Sequence, residues 1–155
     1  MPRSAGFVAE HELFSQEQQA AADALERQVQ GQGLRTIRVV WVDQHGVPRA
    51  KFLSPAAFTA ALRGGLDFSG AAANLDTSNN VFALAFSEGG GVDVEELTGF
   101  PDVVLVPDPQ TFRVVPWADR TGWVLSDAYF SSGKPHALDS RGVLRRQLAA
   151  LEELG

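Results

Sequence analysis

Thr36-Ile-Arg-Val-Val-Trp-Val42 constrains this chain more than any other stretch. Apart from Arg38, every residue in it is β-branched or aromatic, and such side chains favour a pleated, packed backbone. The run predicts a strand with substantial burial on both faces. Asp43-Gln-His-Gly46 follows as a turn, with Gly46 free to take a positive φ. Val47 to Leu53 predicts a second strand, with Arg49 and Lys51 on one face and Ala50 and Phe52 on the other. Ser54-Pro55 then starts a helix, since serine caps and proline suits a first turn. Phe58, Ala61 and Leu62 form its apolar side, and Gly64-Gly65 closes it. A hairpin followed at once by a helix that must cover it predicts the α+β class.

The rest of the chain extends that pattern. Ser15 and Gln18 have the spacing of a capping box, which predicts a helix to Gln30 carrying a thin stripe of Ala21, Leu25 and Val29. The stripe implies light packing, and residues 1–33 read as an extension. Leu66 to Asn80 reads as a loop, and Val81–Phe86 as a short apolar strand. Glu88 to Gly91 reads as a linker, because its glycines lack the Lys-Ser/Thr that a phosphate loop requires. Val103–Val106, Thr111–Val115 and Trp123–Asp127 predict three more strands. Asp139 or Ser140 then caps a last helix with Val143, Leu144, Leu148 and Leu151 turned inward. Glu152 and Glu153 in its final turn oppose the helix dipole. An apolar stripe followed by so little chain leads to the expectation that further protein covers it.

Composition narrows the function. The 155 residues are 45% hydrophobic with a net charge of -6, which argues against a nucleic-acid or anionic-membrane binder, since each needs a basic face. With no cysteine, disulfides, thiolate metal sites and thiol nucleophiles are excluded. The N-terminus has charges before any apolar stretch forms and does not read as a signal peptide. No run approaches the roughly 18–20 apolar residues of a membrane span. The expectation is a soluble, cytoplasmic protein. His11, His45 and His136 are too dispersed for a metal site, and Ser126 with Asp127 and a distant histidine makes no credible triad. Trp41, Trp117 and Trp123 read as core or interface residues, and Arg49 and Lys51 as a solvated strand face.

Four segments, in order, resemble glutamine synthetases. Val42-Asp-Gln-His-Gly-Val-Pro-Arg-Ala-Lys51 is similar to the family's Asp-x-x-Gly-x-x-Arg-Gly-Lys hairpin, with Ala50 in place of glycine. Pro107-Asp-Pro-Gln-Thr-Phe-Arg113 with Pro116-Trp117 resembles its Pro-Asp-Pro-x-Thr-Phe-Arg…Pro-Trp element. Val124-Leu-Ser-Asp127 resembles its Val-Leu-Cys-Asp strand, and Asp139-Ser-Arg-Gly-Val-Leu-Arg-Arg146 its Ser-Pro-Arg-x-Val-Leu helix start. Any one alone is weak; four in register over residues 35–155 are specific.

The resemblance implies a β-grasp N-terminal domain over residues 34–119 and the first strand and helix of a catalytic domain over residues 120–155. It implies an ATP-dependent ligase in which Mg²⁺ or Mn²⁺ neutralises the phosphates, glutamate is activated as γ-glutamyl phosphate, and ammonia or an amine attacks. It also implies a homo-oligomer with active sites between subunits. The family's first metal ligands are a Glu-x-Glu pair; the adjacent acid pairs here, Glu95-Glu96 and Glu152-Glu153, lack that spacing. No complete catalytic set, metal ligand or ATP-binding residue is therefore assigned, and this stretch alone is expected to be inactive. Gly65-Leu-Asp-Phe-Ser-Gly-Ala-Ala72 matches the family's Gly-x-Gly-Phe-Asp-Gly-Ser-Ser loop. Ser69 stands where the family has the aspartate that binds ammonium and takes its proton, and Asp67 falls at a glycine position. A serine serves neither task well at neutral pH, so the expected acceptor moves from ammonium to an organic amine. Asp102, in Phe100-Pro-Asp-Val103, resembles a second acidic position near the amine. Ser69 and Asp102 are the candidate substrate-binding residues. The competing expectation is a β-grasp binding or regulatory module, or an inactive fragment, associating with full-length paralogues.

Overall fold

A computed structural model describes residues 6–81, 86–87 and 94–155, and shows a mixed α/β protein. The helices are α1 (Phe7–Glu10), α2 (Gln16–Gly31), α3 (Pro55–Gly64) and α4 (Ser140–Leu154). The strands are β1 (Thr36–Val42), β2 (Pro48–Leu53), β3 (Leu66–Phe68), β4 (Val103–Pro107), β5 (Arg113–Val114) and β6 (Thr121–Tyr129). They form a six-stranded sheet ordered β2-β1-β6-β4-β3, with β5 added to β6. β1 runs parallel to β6, Val39 standing opposite Val124, and β5 runs antiparallel to β6, Arg113 opposite Trp123.

The chain divides into two compact units. The first comprises residues 1–41, 48–66 and 105–127. Its core is Ala22, Leu25 and Val29 of α2, Ile37 and Val39 of β1, Phe58 and Leu62 of α3, and Val124 of β6, with Leu34 at its edge. The hairpin and its covering helix form as the sequence predicts. α2 differs in its packing, which is close and not light: Leu25 and Val29 are 3% and 2% exposed. Ala22, not Ala21, completes the stripe, which faces inward among the buried side chains of α3 and β1. Ser15 makes both bonds of the capping box with Gln18, and Arg63 ties α3 to Asp23 and Glu26 of α2 at 2.6 Å each. Gly122 has no room for a Cβ, which would lie 2.6 Å from the Phe112 ring. Ser126, where the family strand has cysteine, donates its hydroxyl to the Val40 carbonyl at 2.9 Å.

The second unit comprises residues 42–47, 67–104 and 128–155. Its buried cluster is Leu97, Phe100 and Phe130, with Val81 and Val94 against it. Asp43 organises its turn: Oδ1 accepts from the amides of His45 and Val47, both at 2.9 Å, and Gly46 takes φ 77°. The Gln44 and His45 side chains both reach the Leu75 carbonyl, at 2.6 and 2.8 Å.

Three expectations need revision. The loop from Leu66 to Asn80 holds β3 and a 3₁₀ turn over Gly70–Asn74. The strand expected at Thr111–Val115 is shorter, because Pro109–Thr111 winds as a 3₁₀ turn capped by Asp108. The apolar stripe of α4 is not inward among the described residues: Leu144, Leu148 and Leu151 are 57%, 50% and 62% exposed. The expected strand at Val81–Phe86 and the glycine linker fall largely outside the described residues, although Val81 bridges Leu75.

Candidate functional site

Ser69 and Asp102 lie 33 residues apart in sequence, and the second unit brings their segments together. Ser69 follows β3, Asp102 precedes β4, and these two strands are neighbours in the sheet. The contact is between backbones. A Cβ on Gly70 would sit 2.0 Å from the Pro101 carbonyl oxygen and 3.1 Å from that of Phe100. Only glycine permits that approach, for reasons of space and not of φ. The residues on either side of this contact, Ser69 and Asp102, are exposed.

The supporting backbone is strained. Phe100 has φ 45°, a region that bulky residues rarely enter and that costs about 1–3 kcal/mol. Its ring, 4% exposed, is packed with Leu97 and Phe130, and this burial holds the backbone where sterics disfavour it. Lys134 pairs with Glu96 on the 3₁₀ turn that carries Leu97. The hydrogen bond from Lys134 holds the Glu96 carboxyl below its usual range. Strain retained in this way marks a place that the surrounding structure over-determines, which is common at binding sites.

Chemically, the site offers a neutral hydroxyl at Ser69 and a carboxylate at Asp102. Ser69 accepts the Ala72 amide on its backbone carbonyl at 3.1 Å, and its hydroxyl makes no cap to the 3₁₀ turn. A carboxylate attracts an ammonium group, whereas a serine hydroxyl is a poor base. Among the described residues, no group of three or more His, Asp or Glu is placed to hold a metal ion.

The acids of the sequence motifs do structural work. Asp43, Asp108 and Asp139 are 4%, 4% and 7% exposed. Each accepts backbone N–H groups: Asp43 as above, Asp108 from Gln110 at 3.2 Å, and Asp139 from Gly142 at 2.9 Å. Sequence reading assigns Asp139 its capping role, as one of two candidates with Ser140, but not the roles of Asp43 and Asp108. The signal was present in their positions, each at a turn or a helix start.

No family model matches the chain. It is 37% identical, over its whole length, to the gamma-glutamylanilide synthase of an Acinetobacter species. It is 33% identical over 82% of its length to the glutamate–isopropylamine ligase of a Pseudomonas species. It is 31% identical over 83% of its length to the glutamine synthetase of Mycolicibacterium smegmatis. The chain belongs to the glutamine synthetase family. It spans 32%, 27% and 26% of the lengths of these relatives, so it corresponds to about a third or less of such a protein. The crystal structure of a glutamine synthase homologue shares its fold, with a TM-score of 0.62 over 79% of this chain and 28% of the other, at 20% identity. Within this glutamine synthetase-family chain, the four motifs fall on the β1–β2 turn, the Asp108 turn, β6 and the start of α4. No helix among the described residues is long and apolar enough to cross a membrane.

Proposed function

We propose that this chain is the N-terminal part of an ATP-dependent ligase that joins glutamate, activated as γ-glutamyl phosphate, to an organic amine. Residues 34–119 form a β-grasp domain behind the extension of residues 1–33, and residues 120–155 open the catalytic domain. The remainder of the protein supplies Mg²⁺ or Mn²⁺ and ATP sites, and a homo-oligomer closes one subunit's catalytic bowl with its neighbour's β-grasp domain. Ser69 and Asp102 face the amine.

The observation that carries this reading is Ser69. It sits one residue from the Gly70–Pro101 contact and is exposed, as is Asp102 on the segment across that contact. An acceptor that enters already neutral, such as a weakly basic amine, needs less proton removal than ammonium does. Two relatives whose names specify an anilide product and an isopropylamine substrate support an organic amine as acceptor, although of these two amines only the aromatic one is weakly basic.

The test is a chimera in which this chain replaces the matching third of the Acinetobacter protein, with ADP release measured over a panel of amines and ammonium. Aniline or isopropylamine is expected to outperform ammonium. Ser69→Asp is expected to raise ammonium use about tenfold or more. Ammonium as the best acceptor, with no response to Ser69→Asp, overturns the proposal. So does formation of γ-glutamyl hydroxamate by the chain on its own.

A further inference from the structure

The outer face of the sheet in the first unit carries a row of alternating cations and aromatic rings. On β1, Arg38 stands directly opposite Trp123 of β6, and Trp123 stands directly opposite Arg113 of β5. Directly paired residues share a face. Arg38 extends the row the other way, holding its guanidinium over the Phe52 ring at 5.2 Å. Phe52 is 63% exposed and Trp117, beside the other end, 71%. A pocket of about 290 Å³ opens on this face, lined by Thr111, Arg113, Val115, Trp117, Trp123 and Leu125.

The polar groups of this pocket select their ligand. The Thr111 hydroxyl is committed internally: it donates to the Asp108 carbonyl at 2.8 Å and accepts from the Leu125 amide at 2.9 Å. What remains are the guanidinium of Arg113 and the indole N–H groups, all donors. Neither arginine pairs with a carboxylate among the described residues, and the buried Nε of Arg38 has no hydrogen-bond partner. Asp119, the one acid between residues 109 and 125, is engaged by Arg120 at 3.4 Å. The walls are apolar and aromatic, and the volume lies at the small end of ligand pockets, enough for one or two fused rings. A ligand that fits must be flat, mostly apolar and tipped with an anionic acceptor, which a guanidinium binds in bidentate fashion.

We propose that this face is a binding site for a small aromatic carboxylate, its ring seated between Trp117 and Trp123 and its carboxylate on Arg113. A single-stranded nucleic acid also stacks on aromatic residues between arginines, but the chain's net charge of -6 opposes a polyanion and tolerates a single carboxylate.

The experiment is an NMR titration of the 155-residue chain with 2-naphthoate, reading the indole N–H signals. Trp117 and Trp123 are expected to shift while Trp41 stays still. Affinity is expected to fall roughly tenfold for neutral 2-naphthol and roughly tenfold in Arg113→Gln, the loss of one charge-assisted contact. Trp117→Ala, at an exposed position that leaves the fold intact, should abolish the Trp123 shift. Equal binding of naphthoate and naphthol, unchanged affinity in Arg113→Gln, or tighter binding of an oligothymidylate than of naphthoate overturns the proposal. Arg113 and Trp117 have no part in the proposed amine site, so either reading can fail alone.

Discussion

α2 and α4 are near twins as sequences, and the structure treats them oppositely. They have 16 and 15 residues, each begins with a side-chain cap, and each carries an apolar stripe. α2 buries Ala22, Leu25 and Val29, whereas α4 buries nothing among the described residues. An amphipathic pattern thus states which face of a helix is available for packing, and says nothing about what packs there. α2 has α3, Phe58 and β1 within reach of its stripe. The energy that holds a helix comes mostly from such burial and not from propensity, so the two should differ in stability by more than their sequences suggest.

The largest test of that contrast is a pair of truncations. Leu25→Ala, at a position 3% exposed, should cost about 3 kcal/mol through lost transfer energy and a residual cavity. Leu148→Ala, at a position 50% exposed, should cost less than about 0.5 kcal/mol. Urea unfolding of both variants measures the difference. Equal losses would mean that α4 is covered in solution, for instance by another copy.

The same contrast explains what was legible beforehand. The hairpin, α3 and the α2 capping box could be read because each is fixed by neighbours in sequence: Gly46 in its turn, Ser54-Pro55 at a helix start, Ser15 with Gln18. Ser69 and Asp102 could be named from the family's loop pattern. Their proximity could not be read, because it rests on Gly70 meeting Pro101 across 31 residues, and Gly70 looks like any loop glycine in the sequence. Nor could the row Phe52–Arg38–Trp123–Arg113, which exists only once strand register is set. The sequence alone offers Trp117 and Trp123 as core or interface residues and does not show that both line one pocket with Arg113.

A middle-sized effect is expected from pH, through the turn that leads into α4. His136 is 3% exposed, its ring lies 4.8 Å from that of Phe130, and its Nε2 has no partner. The charged groups nearby in sequence are Lys134, paired with Glu96, and Asp139, whose amide bonds the His136 carbonyl at 3.2 Å. Burial pushes the imidazole below its ordinary value of 6.5. The unfolded chain therefore takes up the proton first, and stability falls as pH drops below about 6.5, by at most about 1.4 kcal/mol per unit for one proton. Hydrogen exchange at pH 7 and pH 5 should show faster opening of α4 on acidification, with α2 unaffected. His136→Phe, which keeps the ring contact without the proton, should remove the difference. An unchanged pH response in that variant would assign the effect to the carboxylates.

The smallest expected effects come from the caps, and they sharpen the comparison most. Ser15 accepts from the Gln18 amide at 3.2 Å, and losing such a cap typically costs about 1 kcal/mol. Because α2 is part of the core, Ser15→Ala should appear in global unfolding at about that size. Asp139 accepts from the Gly142 amide at 2.9 Å, so Asp139→Ala removes a cap of the same kind from a helix with no buried stripe. Its cost should appear mainly as faster exchange along α4, since fraying a helix that buries nothing leaves the core contacts in place. Asp139 itself is 7% exposed, so Asp139→Asn, which retains an accepting oxygen, separates loss of the cap from disturbance of the buried turn. If Asp139→Ala lowered global stability as much as Leu25→Ala while Asp139→Asn did not, α4 would be coupled to a core through its cap alone, and the contrast between the two helices would lie in their surfaces and not in their stability.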